Sequence, residues 1–324
     1  MELKNIAILG PRGNVGSALI AELLKDGPRF NITAVTRPTS PYTPPPQTSI
    51  THKTVDYASL DSLTAAFTGQ DAVVNCITGG ATQYEPTRLV IDAAVAAGVK
   101  LYFANEFVGH VTSEQYRRMP EQAVGAKVRI RGELEVLGRE GGMKWTSLNG
   151  GPFFDMWLMK GPAGIDIRNK RARIYGTGLN PLCWTPLPTI ALAAANMLRN
   201  PDAIANRPIY INTVPNLTQS GLLSAVESVL GAKFAVDYID IAKINANARI
   251  AVERGEVAKG MKGLAISNQF YEGDCGNDFR ALVENERVGV EVQSVEDAVA
   301  RAVADWGVEN EVVESFFGIE ACEV

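Results

Sequence analysis

Apolar and polar positions along the first half of the chain follow two alternating periods. Short apolar runs at residues 6–9, 32–36, 72–75, 101–104 and 145–148, with the more polar, threonine-rich segment 51–55, read as strands. Between them, apolar residues recur every three or four positions over 15–25, 60–67, 86–97 and 121–139, which is helical spacing. Strands alternating with helices of this length predict right-handed βαβ crossovers, and so a Rossmann-type, doubly wound parallel sheet of the α/β class. The proline-rich stretch RPTSPYTPPPQTS at 37–49 suits neither element and is expected as an exposed loop. After Gly150 the alternation weakens. The run GGPFFDMWLMKGPAG reads as a loop, and helical spacing returns at 187–198, 220–230, 239–252 and 295–306. The expected organisation is a dinucleotide-binding domain over 1–150 and a smaller substrate-binding region over 151–324. Strands of the second region either stand apart or return to the first sheet.

The turn after the first strand, GPRGNVG at 10–16, changes this picture from fold to chemistry. Gly10 ends the strand, Gly13 lets the backbone approach a bound group, and Gly16 lets the helix pack on the strand. With Asn14 and Val15, they set helix N-terminal amides around a cavity suited to a pyrophosphate. A carboxylate at the end of the second strand would hold the 2′-hydroxyl of NAD, but VTRP supplies Thr36 and Arg37 and no acid. Either Arg37 and Arg12 share a 2′-phosphate, which selects NADP(H), or both are solvated loop residues. Asp56 either meets the adenine amino group or caps the helix at ASLDSL. Asn75, ending the fourth strand, and Lys127, farther along the chain, complete the expected cofactor set.

Composition excludes more than it assigns. A net charge of −5, with no basic run, argues against a nucleic-acid partner. Cys76, Cys183, Cys275 and Cys322 are widely spaced, without a CxxC pair, so neither a disulfide framework nor a zinc site is expected. Only His52 and His110 could serve a histidine-dependent triad, and no GxSxG elbow accompanies them. Met1 leads straight into a strand, and no 18-residue apolar stretch occurs, so a cytoplasmic protein without a membrane partner is expected.

The glycine spacing, Arg37, the segment ANEFVG at 104–109 and the helical KVRIRGELE at 127–135 together resemble the isoflavone reductase-like, NmrA-like branch of the atypical short-chain dehydrogenases. The resemblance covers most of the chain. In that family a strand runs into Pro-Ser-Glu/Asp-Phe-Gly, and the next helix carries Lys-x-x-x-Arg-x-x-x-Glu with a catalytic lysine. Lys127, Arg131 and Glu135 stand at those spacings. This chain departs from the pattern with Ala104-Asn105 in place of Pro-Ser, Val108 before Gly109, and Gly132. No tyrosine has a lysine four residues later, so the Tyr-x-x-x-Lys pair of ordinary short-chain dehydrogenases is absent.

The residues point Lys127 inward independently of the family. Ala123, Lys127, Ile130, Leu134 and Leu137 share one face at helical spacing, which places the lysine on a core-facing stripe. A partly desolvated amine has a depressed pKa and can pass a proton to a substrate atom. His110 lies at the expected mouth of the site, as a substrate contact and the second catalytic candidate after Lys127 or as a surface residue, and Glu106 is expected to fix the loop. Phe153, Phe154, Met156 and Trp157 form either an apolar wall for substrate or hydrophobic core. These readings converge on an NADPH-dependent reductase that delivers hydride to a carbonyl, imine or conjugated double bond of a hydrophobic aromatic or polycyclic molecule. The alternatives are an NmrA-like dinucleotide sensor without turnover and an NADP-holding scaffold for a non-redox cyclisation or isomerisation. Beyond the small-molecule substrate, a homodimer is the candidate assembly.

Overall fold

The computed structural model describes residues 1–78 and 82–318, apart from the side chains of Gln122 and Ala123; Cys322 lies outside the described residues. In chain order the first half runs β1 (Asn5–Leu9), α1 (Asn14–Leu24), β2 (Asn31–Thr36), β3 (Thr51–Thr54), α2 (Leu60–Phe67), β4 (Ala72–Asn75), α3 (Tyr84–Ala96), β5 (Leu101–Ala104), α4 (Glu114–Arg117), α5 (Glu121–Val124), α6 (Lys127–Arg139) and β6 (Lys144–Asn149). There follow α7 (Phe154–Lys160), β7 (Ile165–Asp166), β8 (Arg171–Tyr175), α8 (Leu187–Arg199), β9 (Arg207–Tyr210), α9 (Gln219–Leu230) and β10 (Ala235–Ile239). The chain then continues through α10 (Ile241–Glu253), α11 (Val257–Phe270), α12 (Val295–Trp306) and α13 (Glu314–Phe317).

Seven parallel strands form the main sheet in the order β3-β2-β1-β4-β5-β6-β9. Successive strand residues point to opposite faces, and the core divides accordingly. Ile6 and Ile8 of β1, with Leu101 and Phe103 of β5, pack on α1 and α8. Ala7, Leu9, Tyr102 and Ala104 pack on α2, α3 and α6. The chain order reverses between β1 and β4, so their carboxyl ends diverge and leave a crevice, the usual place for a ligand in an open α/β sheet. Beyond residue 150 the chain gives β9 and α8 back to this sheet. It also builds a second apolar cluster around a three-stranded sheet, β10-β8-β7, covered by α7 and α9–α12.

Three elements differ from the sequence pattern. The helix expected over 121–139 is broken at Gly125, whose φ of 74° is left-handed and ends α5, so Lys127 becomes the first residue of α6. Residues 154–160, expected as a loop, are helical, because Phe154, Leu158 and Met159 bury one face and Gly161 closes the helix in a left-handed conformation. Ile239 ends β10 rather than starting a helix, and Asp240 caps α10 by accepting from the Lys243 amide at 3.1 Å.

Candidate active site

The glycine turn sits at the carboxyl end of β1. Gly10 has φ 72°, and a Cβ there would lie 2.6 Å from the Cys76 carbonyl oxygen. A Cβ on Gly16 would lie 2.3 Å from the Gly10 oxygen, so this glycine lets α1 press against the turn. Gly13 precedes α1 with no side-chain cap, which leaves the amides of Asn14, Val15 and Gly16 open to an anion. In front of the turn lies a cleft of 1070 Å³, lined by Gly10, Arg12, Gly13, Arg37, Asp56 and residues 76–78 among others. Arg12 and Arg37 are exposed, and neither has an acidic partner among the described residues. The proline-rich 37–49 segment adds Pro38, Ser40 and Pro41 to the wall. Asp56 accepts from the Ala58 amide through Oδ1 at 2.9 Å, and its other oxygen has no hydrogen-bond partner among the described residues. Asn75 is buried behind the cleft and lines it only indirectly: its Oδ1 accepts from the Ile77 amide at 3.1 Å.

Lys127, on the first turn of α6, does not line this cleft but a separate small cavity beside Thr82, Thr87, Asn105, Glu106 and Ile130. The residue is half-buried, but its ammonium is turned in. Nζ donates to the backbone oxygen of Asn105 at 2.6 Å and to Asn105 Oδ1 at 3.2 Å. Burial lowers its pKa to about 8, against the opposing influence of Glu106. Ile130 and Leu134 on the same face are buried, whereas Ala123 belongs to the preceding helix and its side chain lies outside the described residues.

The loop after β5 is fixed from several directions. Glu106 is fully paired with Arg131, which donates from Nε to Oε1 at 2.7 Å, closes a second bond to Oε2, and reaches Ser147 Oγ at 3.0 Å. Phe107 adopts φ 38°, an uncommon backbone region for a bulky residue, and is held there by stacking on Phe103 at 5.6 Å and by its amide bond to the Leu148 oxygen. His110 shares a hydrogen bond with Thr112 Oγ1 at 2.9 Å and meets Tyr210 edge-on at 5.4 Å. Burial, with Arg131 and Arg117 adding to it, holds its pKa below the ordinary histidine value.

The aromatic residues after β6 do not form one wall. Phe154 is 0% exposed and packs on Trp184. Trp157 also meets Trp184, at 5.3 Å, and lies near Phe270, within the second apolar cluster. Phe153 packs instead against the cluster under α1 and α8, and Met156 is half-buried. Helical turning sends neighbouring side chains about 100° apart, which is why a stretch read as one surface is split between two. Phe154 is therefore core, not a substrate contact. Residues the sequence did not single out are Tyr57 in the cleft wall and Tyr210 against His110; only the fold brings them in.

Among the described residues no helix is long and apolar enough to cross a membrane, and no cluster of His, Cys, Asp or Glu could hold a metal. A family model described as NAD(P)H-binding matches residues 10–163. Oxidoreductase aprR of Aspergillus flavus is 28% identical over 302 residues, covering 91% of this chain and 97% of that protein. An NmrA-like family domain-containing oxidoreductase of Gibberella moniliformis is 27% identical over 226 residues, 64% of this chain and 71% of that one. These similarities support the resemblance to the isoflavone reductase-like, NmrA-like family. The chain's fold matches the crystal structure of an isoflavone reductase with a TM-score of 0.72 at 18% identity, over 93% of this chain and 99% of that one. The chain is an NAD(P)-dependent oxidoreductase, with the segment matched by the NAD(P)H-binding model spanning the glycine turn and Lys127.

Proposed function

We propose that the protein is an NADPH-dependent reductase that delivers hydride to a carbonyl, imine or conjugated double bond of a hydrophobic, aromatic or polycyclic small molecule, with Lys127 as the proton donor. One observation carries this reading: an inward-turned ammonium with its pKa lowered to about 8 stands at the carboxyl end of β5, bonded to Asn105. Asn105 in turn bonds to Ile77 in the cleft wall.

The residues present fit NADP(H). The open amides of Asn14, Val15 and Gly16, with Gly10 and Gly13 removing side-chain bulk, suit a pyrophosphate. Arg12 and Arg37, both on the cleft and without acidic partners among the described residues, suit a 2′-phosphate, and the Asp56 carboxylate suits the adenine amino group. When bound, NADPH supplies the hydride. Lys127 gives a proton to the substrate oxygen or nitrogen that gains charge, so hydride and proton together add two hydrogens. At neutral pH an ammonium of this pKa is mostly protonated yet gives up its proton more readily than an ordinary lysine. On this reading 1–150 hold the cofactor, and 151–324 shape the substrate side. His110, from the loop after β5, and Phe153, Met156 and Trp157, from the second region, are the candidate substrate contacts.

The test is NADPH oxidation with a panel of aromatic enones, imines and ketones, followed by product mass. Stoichiometric oxidation with a gain of two hydrogens supports the reductase. Binding of NADPH without turnover favours the sensor, and an isomeric product with NADPH intact favours the scaffold.

A further inference from the structure

Asn105 follows β5 at a position where the family resemblance implies serine, and its side chain makes contacts in two opposite directions. Toward α6, Oδ1 and the backbone oxygen both accept from the Lys127 ammonium, at 3.2 and 2.6 Å. Toward β4, Nδ2 donates to the Ile77 carbonyl and to Asn75 Oδ1, the latter at 3.4 Å. The orientation of the amide is dictated by its partners. An ammonium only donates and a carbonyl only accepts, so Oδ1 must face Lys127 and Nδ2 must face Ile77. Asn75 extends the link, donating to the Tyr102 hydroxyl at 2.9 Å while it accepts from the Ile77 amide. The far side of this arrangement is the cleft, which Cys76, Ile77 and Thr78 line.

We propose that Asn105 is a positioning residue that fixes the Lys127 ammonium relative to the 76–78 wall of the cofactor cleft, so that two of its N–H bonds are committed and one is presented to substrate. The proposal rests on Lys127 being the proton donor. A serine offers a single, shorter hydroxyl and cannot bridge the lysine and Ile77 as the amide does.

The link also bears on how the lysine titrates. The charged group facing Lys127 is Glu106, itself paired with Arg131, and burial opposes it. Oδ1 of Asn105 favours the protonated amine, because it accepts from it. Asn105→Ala removes that acceptor and moves the lysine pKa down. Asn105→Asp sets a carboxylate there and moves it up. Each shift is expected to be about 1–2 pH units, the scale of one hydrogen bond to a charged group.

The measurement is NMR titration of the full chain with 13C-labelled lysine, the Lys127 signal being assigned by its loss in Lys127→Met. It needs no substrate. A midpoint near 8 in the wild type, lower in Asn105→Ala and higher in Asn105→Asp, supports the proposal, and the falling limb of any kcat/KM profile should move in the same directions. NADPH binding reports folding; should the aspartate variant not fold, Asn105→Ser must shift the midpoint downward as alanine does. Coincident midpoints in all folded variants overturn the proposal, even where activity is lost. Opposite midpoint shifts in a protein that never oxidises NADPH would leave Asn105 as a positioning residue and overturn the reductase reading alone.

Discussion

Arg131 reaches from α6 to Glu106 in the loop after β5, donating from Nε to Oε1 at 2.7 Å with both side chains 3% exposed. The pair spans the two elements that carry Lys127 and its partner Asn105, so the placement of the lysine depends on it. Burying either charge alone is far costlier than burying both, and removal of one partner typically costs about 3–5 kcal/mol. Glu106→Gln and Arg131→Met should each lower stability by an amount of that order in denaturant unfolding. The double variant should lose less than their sum, since it leaves no orphaned charge.

Arg37 on the cleft is expected to read the 2′-phosphate. Arg37→Ala should weaken NADPH by about 1.5–3 kcal/mol, the range for hydrogen bonds to charged groups, and leave NADH nearly unchanged. Titration of both cofactors by fluorescence decides the point. Equal losses for the two would make Arg37 a support of the loop.

These two residues differ in how visible they are before folding. Arg37 and the glycine turn are legible because a strand, its turn and the next helix are contiguous in the chain. The bounds 60–67, 72–75, 101–104 and 295–306 are likewise carried by local periodicity and coincide with α2, β4, β5 and α12. Gly125 was illegible as a break because a helical pattern tolerates glycine, while its φ of 74° does not continue a helix. β9 is four residues, Arg207–Tyr210, with its first two only half-buried, and its pairing with β6 joins distant segments. The parts of the site that depend on such distance were hidden in the same way. Asn105 stands out in the sequence only as a departure from a family pattern; its bond to Ile77, 28 residues away, exists only in the folded sheet. Tyr210 reaches His110 because β9 returns to the main sheet.

The aromatic stretch after β6 divides between packing and access. Phe154→Ala should destabilise by about 3–5 kcal/mol, as expected for a buried phenylalanine, and leave KM for any substrate unaltered in the protein that remains folded. Thermal unfolding and steady-state kinetics on one preparation separate the two effects. A raised KM with unchanged stability would return Phe154 to the substrate pocket.

The central claim is that Lys127 gives the proton that accompanies hydride transfer. A donor must be protonated, and this amine has a pKa lowered to about 8, so kcat for reduction should hold at its plateau below that pH and fall above it. Lys127→Met keeps the apolar stem and the packing along Ile130 and Leu134 but removes the ammonium. The deciding measurement is kcat against pH for the wild type and Lys127→Met, with NADPH affinity measured in parallel. The account predicts a fall of about 10²–10⁴ in kcat on the plateau, loss of the alkaline limb and little change in NADPH binding. Full activity in the methionine variant, with the limb still present, would contradict it.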